Sequence, residues 1–178
     1  MKTQLKTPFI LQANEGQTHA CLGQAVTVKG SVGDGVLAEL VLDPMAGNPL
    51  HSHDAWEMFV VQTGTVEIGM VTEDGPVAVK VGPGESILIP GGVPHSLQNS
   101  SHQPARLTVV FEHSLLEFFV ALGVYGRTLP PGPPSEEAIA GLLAVAARYG
   151  NPSTGRHPAL GWPLAARGRL LRPRAAAR

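Results

Sequence analysis

The stretch His51-Ser52-His53-Asp54-Ala55-Trp56-Glu57, followed by Gly64, decides how this chain is read. In an extended strand, side chains two residues apart share a face. His51 and His53 therefore aim together, and Glu57 has the same parity. An alternating strand facing a barrel interior would carry all three into one cavity. A second patch runs from Gly84 to Asn99, with Glu85–Ile89 as a short apolar strand, Pro90-Gly91-Gly92 as a turn, and His95 after it. The turn permits the reversal that a folded-back sheet needs to bring His95 beside the first patch.

Working outward, residues 17 to 112 show short β-favourable runs separated by turn signals. Gln24–Lys29, Gly35–Leu42, Trp56–Gln62, Thr65–Val71, Val77–Val81, Glu85–Ile89 and Arg106–Glu112 read as strands. Thr63-Gly64 reads as a hairpin turn between the third and fourth of these. Many short strands at this spacing predict an all-β sandwich or barrel. Beyond residue 112 the period changes. Ser114-Leu115-Leu116-Glu117 has the form of a capping box ahead of Phe118–Leu122, predicting a short helix that stops at Gly123 or Gly126. After the stiff run Pro130–Pro134, Ser135 can cap a second helix over about Glu136–Tyr149, with Ile139, Leu142, Leu143 and Ala146 on one face, packing on the barrel. The division expected is an arm over residues 1–16, a barrel over 17–112, a helical extension over 113–150 and a basic tail over 151–178.

The chain has 178 residues and a formal net charge of −1. That charge is uneven: residues 1–149 hold seven Lys and Arg against fourteen acids, a net −7, while residues 150–178 hold six Arg and no acid, a net +6. An acidic body excludes the usual nucleic-acid surface, so no nucleic-acid partner is expected. The Arg-rich tail reads as solvated chain. The single Cys21 allows no intrachain disulfide and reads as a small buried residue. Phe9-Ile10-Leu11 is too short for a signal-peptide core, and no apolar run approaches a membrane span of ~20 residues. A cytoplasmic protein without a membrane partner is the expectation.

Three imidazoles and one carboxylate suit a single borderline divalent transition metal: Fe, Mn, Ni, Cu or Zn. Four protein ligands on an octahedral ion leave two positions free, as a reactive centre requires. His51, His53, Glu57 and His95 are the proposed ligands, and Glu57 is also the candidate catalytic base. His19, His102, His113 and His157 lack partner spacing and read as surface or internally satisfied residues. Met45, Met58, Met70, Phe111 and Phe119 are candidates for an apolar lining above the metal.

The same residues resemble the cupin superfamily. Its first motif, a Gly, then HxH, Glu and Gly at fixed distances, is matched by His51, His53, Glu57 and Gly64, with Met45 where the leading Gly is expected. Its second motif is matched by Gly84, Pro90, Gly92, His95 and Asn99. The resemblance covers about residues 35–112. It implies a double-stranded β-helix, or jelly-roll, barrel with C-terminal helices. It also implies a homodimer paired through an edge strand, for which Thr3–Leu11 is the candidate. The activity it implies is that of the quercetin-dioxygenase-like branch: a metal-dependent dioxygenase acting on a small chelating organic substrate. The alternatives are a metal-dependent isomerase or decarboxylase acting on a sugar or keto-acid, and a non-catalytic small-molecule-binding module. The barrel holds few cations, among them Lys80 and Arg106, which disfavours polyanionic substrates.

Overall fold

A computed structural model describes residues 8–21, 23–122, 124–125 and 136–148. The strands are β1 (Gln17–Cys21), β2 (Gln24–Val32), β3 (Gly35–Leu42), β4 (Gly47–His51), β5 (Glu57–Thr63), β6 (Val66–Thr72), β7 (Gly75–Val81), β8 (Ser86–Ile89), β9 (His95–Gln98), β10 (Ala105–Glu112) and β11 (Val124–Tyr125). Helix α1 (His113–Leu122) precedes β11, and α2 (Glu136–Arg148) follows it. The protein is mostly β, as its alternating runs predict.

The strands form two antiparallel sheets, one of seven strands in the order β11-β1-β2-β3-β10-β5-β8 and one of four in the order β4-β9-β6-β7. The long strands β3 and β10 bury every second residue. In β3 these are Val36, Ala38, Leu40 and Leu42; in β10 they are Ala105, Leu107, Val109 and Phe111. From the smaller sheet Val66, Ile68 and Leu97 meet them, all at 2 % exposure or less. Burying each Val, Leu, Ile or Phe among them contributes roughly 1.5–3 kcal/mol. The core is thus the space between the sheets, and any side chain of inward parity ends there.

Three features differ from the expectations. Thr63-Gly64 is not a hairpin turn, because β5 pairs with β10 and β8 while β6 pairs with β7 and β9. The turn instead carries the chain from one sheet to the other. Gly64 has φ +82°, and a Cβ there would stand 2.9 Å from that of Ala105, so the crossing is too tight for a side chain. Strands β1, β4, β9 and β11 escaped the sequence reading because they are short or lack alternation. Helix α1 begins at His113, directly after β10, so Ser114 stands inside its first turn; His113 N–H donates to Asp34 O at 2.7 Å.

Helix α1 ends at Leu122, next to Gly123 as expected, and buries Leu115 and Phe118 against the barrel. Phe119 sits 5.4 Å from Phe111, ring centre to ring centre. Helix α2 packs against α1, with Ala146 in the core. Ile139, Leu142 and Leu143 have side chains outside the described residues. The same holds for Cys21, the Pro130–Pro134 run, Ser135 and the basic tail over 151–178. Within the arm Thr3–Leu11, residues 8–11 form no strand, and Phe9, Ile10 and Leu11 are exposed.

Asn99 ties the barrel's end together. It is fully buried, and its side-chain NH₂ lies 3.3, 3.0 and 2.8 Å from the carbonyls of Leu42, Asp43 and Gln103. Its Oδ1 accepts from Ser101 N–H at 3.1 Å and Ser101 Oγ at 2.8 Å. Asn99→Ala removes all these partners at once, and each stranded buried group costs about 1–3 kcal/mol. A loss of about 3 kcal/mol in urea unfolding is expected, while Asn99→Asp, which keeps only the acceptor, should recover part of it.

Candidate metal centre

His51 is the last residue of β4, Glu57 the first of β5 and His95 the first of β9; His53 lies in the loop between β4 and β5. His51, His53 and Glu57 do not share one strand, as simple parity suggested. The chain leaves the four-stranded sheet after His51 and joins the seven-stranded sheet at Glu57. The loop between them is anchored by Gly92 N–H, which donates to His53 O at 2.7 Å. Gly91 lies directly against the Asp54 carbonyl, where any Cβ would collide. The turn before His95 therefore also holds His53, a role that spacing alone did not reveal.

The sheets bring the expected residues together. His51 and His95 are cross-strand partners with ring centres 4.5 Å apart; His53 lies 5.0 Å from His95 and 5.5 Å from His51. One ring nitrogen from each of the three lies within 4.8 Å of the others. His53, Glu57 and His95 are each exposed by 7 % or less, while His51 is half-buried. The cluster is therefore reached from the His51 side.

Each histidine is oriented by its own backbone neighbourhood. The Nδ1 atoms of His51, His53 and His95 lie 2.9, 2.8 and 2.8 Å from the carbonyls of Pro49, Ala55 and Val93. A carbonyl can only accept, so each Nδ1 carries a proton and each Nε2 is the atom left to face the cluster. This is the tautomer a metal ligand needs, fixed in advance by hydrogen bonds outside the ligand set.

Glu57 Oε1 stands 2.6 Å from His95 Nε2 and 3.4 Å from His53 Nε2. The buried His95 Nε2 has no aligned hydrogen-bond partner. At that separation a positive charge lies between the carboxylate oxygen and the imidazole nitrogen: a proton on His95 Nε2 in the metal-free protein, or a metal ion in its place. The donor set thus fits a divalent ion. Burial favours the neutral acid of Glu57, but His53 and His95 outweigh it and hold the carboxyl well below its usual range. Burial likewise opposes charge on His95, but Glu57 raises it above the ordinary imidazole value. His51, held down first by burial and then by His95, drops to about 4.

Other sequence-predicted residues fall in varied places. Met70 lies opposite His95, and Phe111 lies opposite Glu57 on the inward face, so these two flank the cluster. Met58 has the outward parity of β5, Phe119 lies behind Phe111, and Met45 is 58 % exposed. Met45 takes φ +61°, the left-handed conformation that favours glycine. The position where the motif expects Gly does demand that backbone shape. Gly84 and Gly92 also have positive φ, consistent with turn roles. Trp56 is partly exposed, on the far side from Glu57. His19 is buried on β1, and burial lowers its pKa; His102 is exposed, His113 is half-buried, and His157 lies outside the described residues.

Residues 38–111 match the family model for the cupin domain, which supports a protein of the cupin superfamily. It is 41 % identical over 76 residues to germin-like protein 3-7 of Oryza sativa subsp. japonica, covering 42 % of this chain and 33 % of that one. It is 30 % identical over 99 residues to germin-like protein 1-1 of the same plant, covering 54 % and 46 %. The chain thus spans a third to about half of these curated relatives. A variant of oxalate decarboxylase from Bacillus subtilis superposes with a TM-score of 0.51 at 21 % identity, over 61 % of this chain and 31 % of that one. At that identity the likeness speaks for the fold alone. Among the described residues no helix is long and apolar enough to cross a membrane.

Histidine NMR of metal-free protein checks the electrostatics. His51 should stay neutral until the pH falls to about 4. His95 should take up its proton above the ordinary imidazole value of about 6.5. Because the unfolded chain protonates residue 51 first, that residue's contribution to stability falls between roughly pH 6.5 and pH 4 on acidification. Titration of His51 near 6.5 would contradict the assigned environment.

Proposed function

We propose that this cupin is a metal-dependent dioxygenase acting on a small chelating organic substrate, with one divalent transition ion held by His51, His53, Glu57 and His95. The observation that carries the metal part of this reading is the convergence of one ring nitrogen from each of His51, His53 and His95 within 4.8 Å of one another, with Glu57 Oε1 2.6 Å from His95 Nε2. When bound, the ion supplies Lewis-acid polarisation of a coordinated hydroxyl or enol, with free positions for that group and for O₂.

The chain's own residues then have distinct roles. The three Nδ1–H donors keep the imidazoles aimed inward. Glu57 is the base that receives the substrate's hydroxyl proton at a carboxylate oxygen. Met70 and Phe111, flanking the cluster, keep that side of the barrel dry, which strengthens polar interactions within it. The barrel's cations support an uncharged or singly charged substrate. Arg106 is engaged with Glu39 on the outer face at 2.9 Å, Lys29 lies 3.6 Å from the same carboxylate, and Lys80 is exposed. None of these stands at the cluster to meet a polyanion.

Elemental analysis should find about one transition-metal ion per chain, and little in His51→Ala or His95→Ala. Oxygen uptake should appear with Fe, Mn, Ni or Cu on flavonols or 1,3-dicarbonyl compounds, and should fall about 100-fold or more in Glu57→Gln. Carbon dioxide released from a keto-acid without oxygen uptake would favour the decarboxylase reading instead. Ligand-induced thermal stabilisation without turnover would favour a binding module. Full metal retention in both histidine variants would remove the centre altogether.

A further inference from the structure

Strand β4 reaches the metal centre through an irregularity. Its pairing with β9 runs Gly47↔Gln98 and Asn48↔Leu97, then slips to His51↔His95. Two residues of β4, Pro49 and Leu50, therefore face the single Ser96 of β9, which is a β-bulge. The slip has a geometric consequence. Leu97 and His95, two apart, share the inward face, whereas residues 48 and 51, three apart, would lie on opposite faces of a regular strand. Without the extra residue, His51 would turn away from His95.

Two features of the sequence favour the bulge. Pro49 has no N–H to give to a ladder. The Leu97 N–H is taken by a side chain instead: it donates to Asn48 Oδ1 at 2.6 Å. The Pro49 carbonyl inside the bulge is also the acceptor of His51 Nδ1–H at 2.9 Å. One local distortion thus turns His51 inward and fixes its tautomer.

We propose that Asn48 is a positioning residue for the metal centre, its side-chain oxygen holding the β4 bulge that presents His51 beside His95. The inference rests on the reading of His51 as a metal ligand. Asn48 touches neither substrate nor metal in this role; it acts through the backbone of residues 49–51. An aspartate at position 48 keeps an acceptor oxygen of the same reach, an alanine has none, and a serine hydroxyl is too short.

The test is titration of the purified full chain with cobalt(II), read by visible absorption, with thermal melting alongside. Wild type should bind one equivalent with ligand-field bands of a defined shape. Asn48→Ala should bind at least about 10-fold more weakly, with altered bands, as loss of an outer hydrogen bond to a metal ligand's support does. Asn48→Ser should behave similarly and serves if the alanine variant does not fold. Asn48→Asp should restore the wild-type band shape, which a purely structural role would not require. If the alanine or serine variant binds cobalt(II) as wild type does, with identical bands, the inference falls and the metal centre stands. Equal loss in Asn48→Asp also overturns it. If wild type itself fails to bind cobalt(II), the metal reading falls and takes this inference with it.

Discussion

A carboxylate and an imidazole nitrogen meet between two packed sheets, and the rest of the site is arranged around that encounter. Glu57 and His95 are both almost inaccessible to water, and their facing atoms are separated by 2.6 Å. In such surroundings an uncompensated pair of acceptors is costly, and the cost is relieved only by a positive charge placed with them. Every backbone carbonyl that captures an Nδ1–H makes the same demand stricter, because it forbids the imidazole from turning to use its other nitrogen. The barrel therefore gathers donors whose arrangement could hold a metal ion.

The fold meets this demand by using both sheets. His51 and His95 come from neighbouring strands of the smaller sheet, and Glu57 from the larger one. The chain passes between them through the His53 loop, which is held against the Pro90–Gly92 turn by the Gly92 N–H and by the absence of a side chain at Gly91. The two ligand-bearing segments thus brace each other. Asn99 closes the opposite end of the barrel by gathering the carbonyls of three separate positions. Packing of the apolar rows supplies the stability that allows a charged cluster to be kept dry at all.

Much of this was legible beforehand, for definite reasons. Strands β3, β5, β6 and β10 have strong alternation because one face is core and the other solvent, and their bounds emerged within a residue or so. The ligands were legible because histidines at such spacing, with a carboxylate and flanking turn glycines, are hard to explain otherwise. Strands β4 and β9 were not, since β4 contains Pro49 and a bulge, and β9 has only four residues, nearly all buried. The turn at Gly64 was misread because a tight reversal and a sheet-to-sheet crossing use the same residue types.

Residue type and order alone pointed to a β-barrel and singled out His51, His53, Glu57 and His95 as its candidate metal ligands. Periodicity and ligand chemistry are local properties, and the chain displays them directly. Tertiary structure decided how those side chains meet: through a bulge and a crossing loop, not along one straight strand, with each tautomer set by a carbonyl. Such choices depend on which backbone groups find partners across the sheets. Those partners lie tens of residues apart, and no local pattern names them.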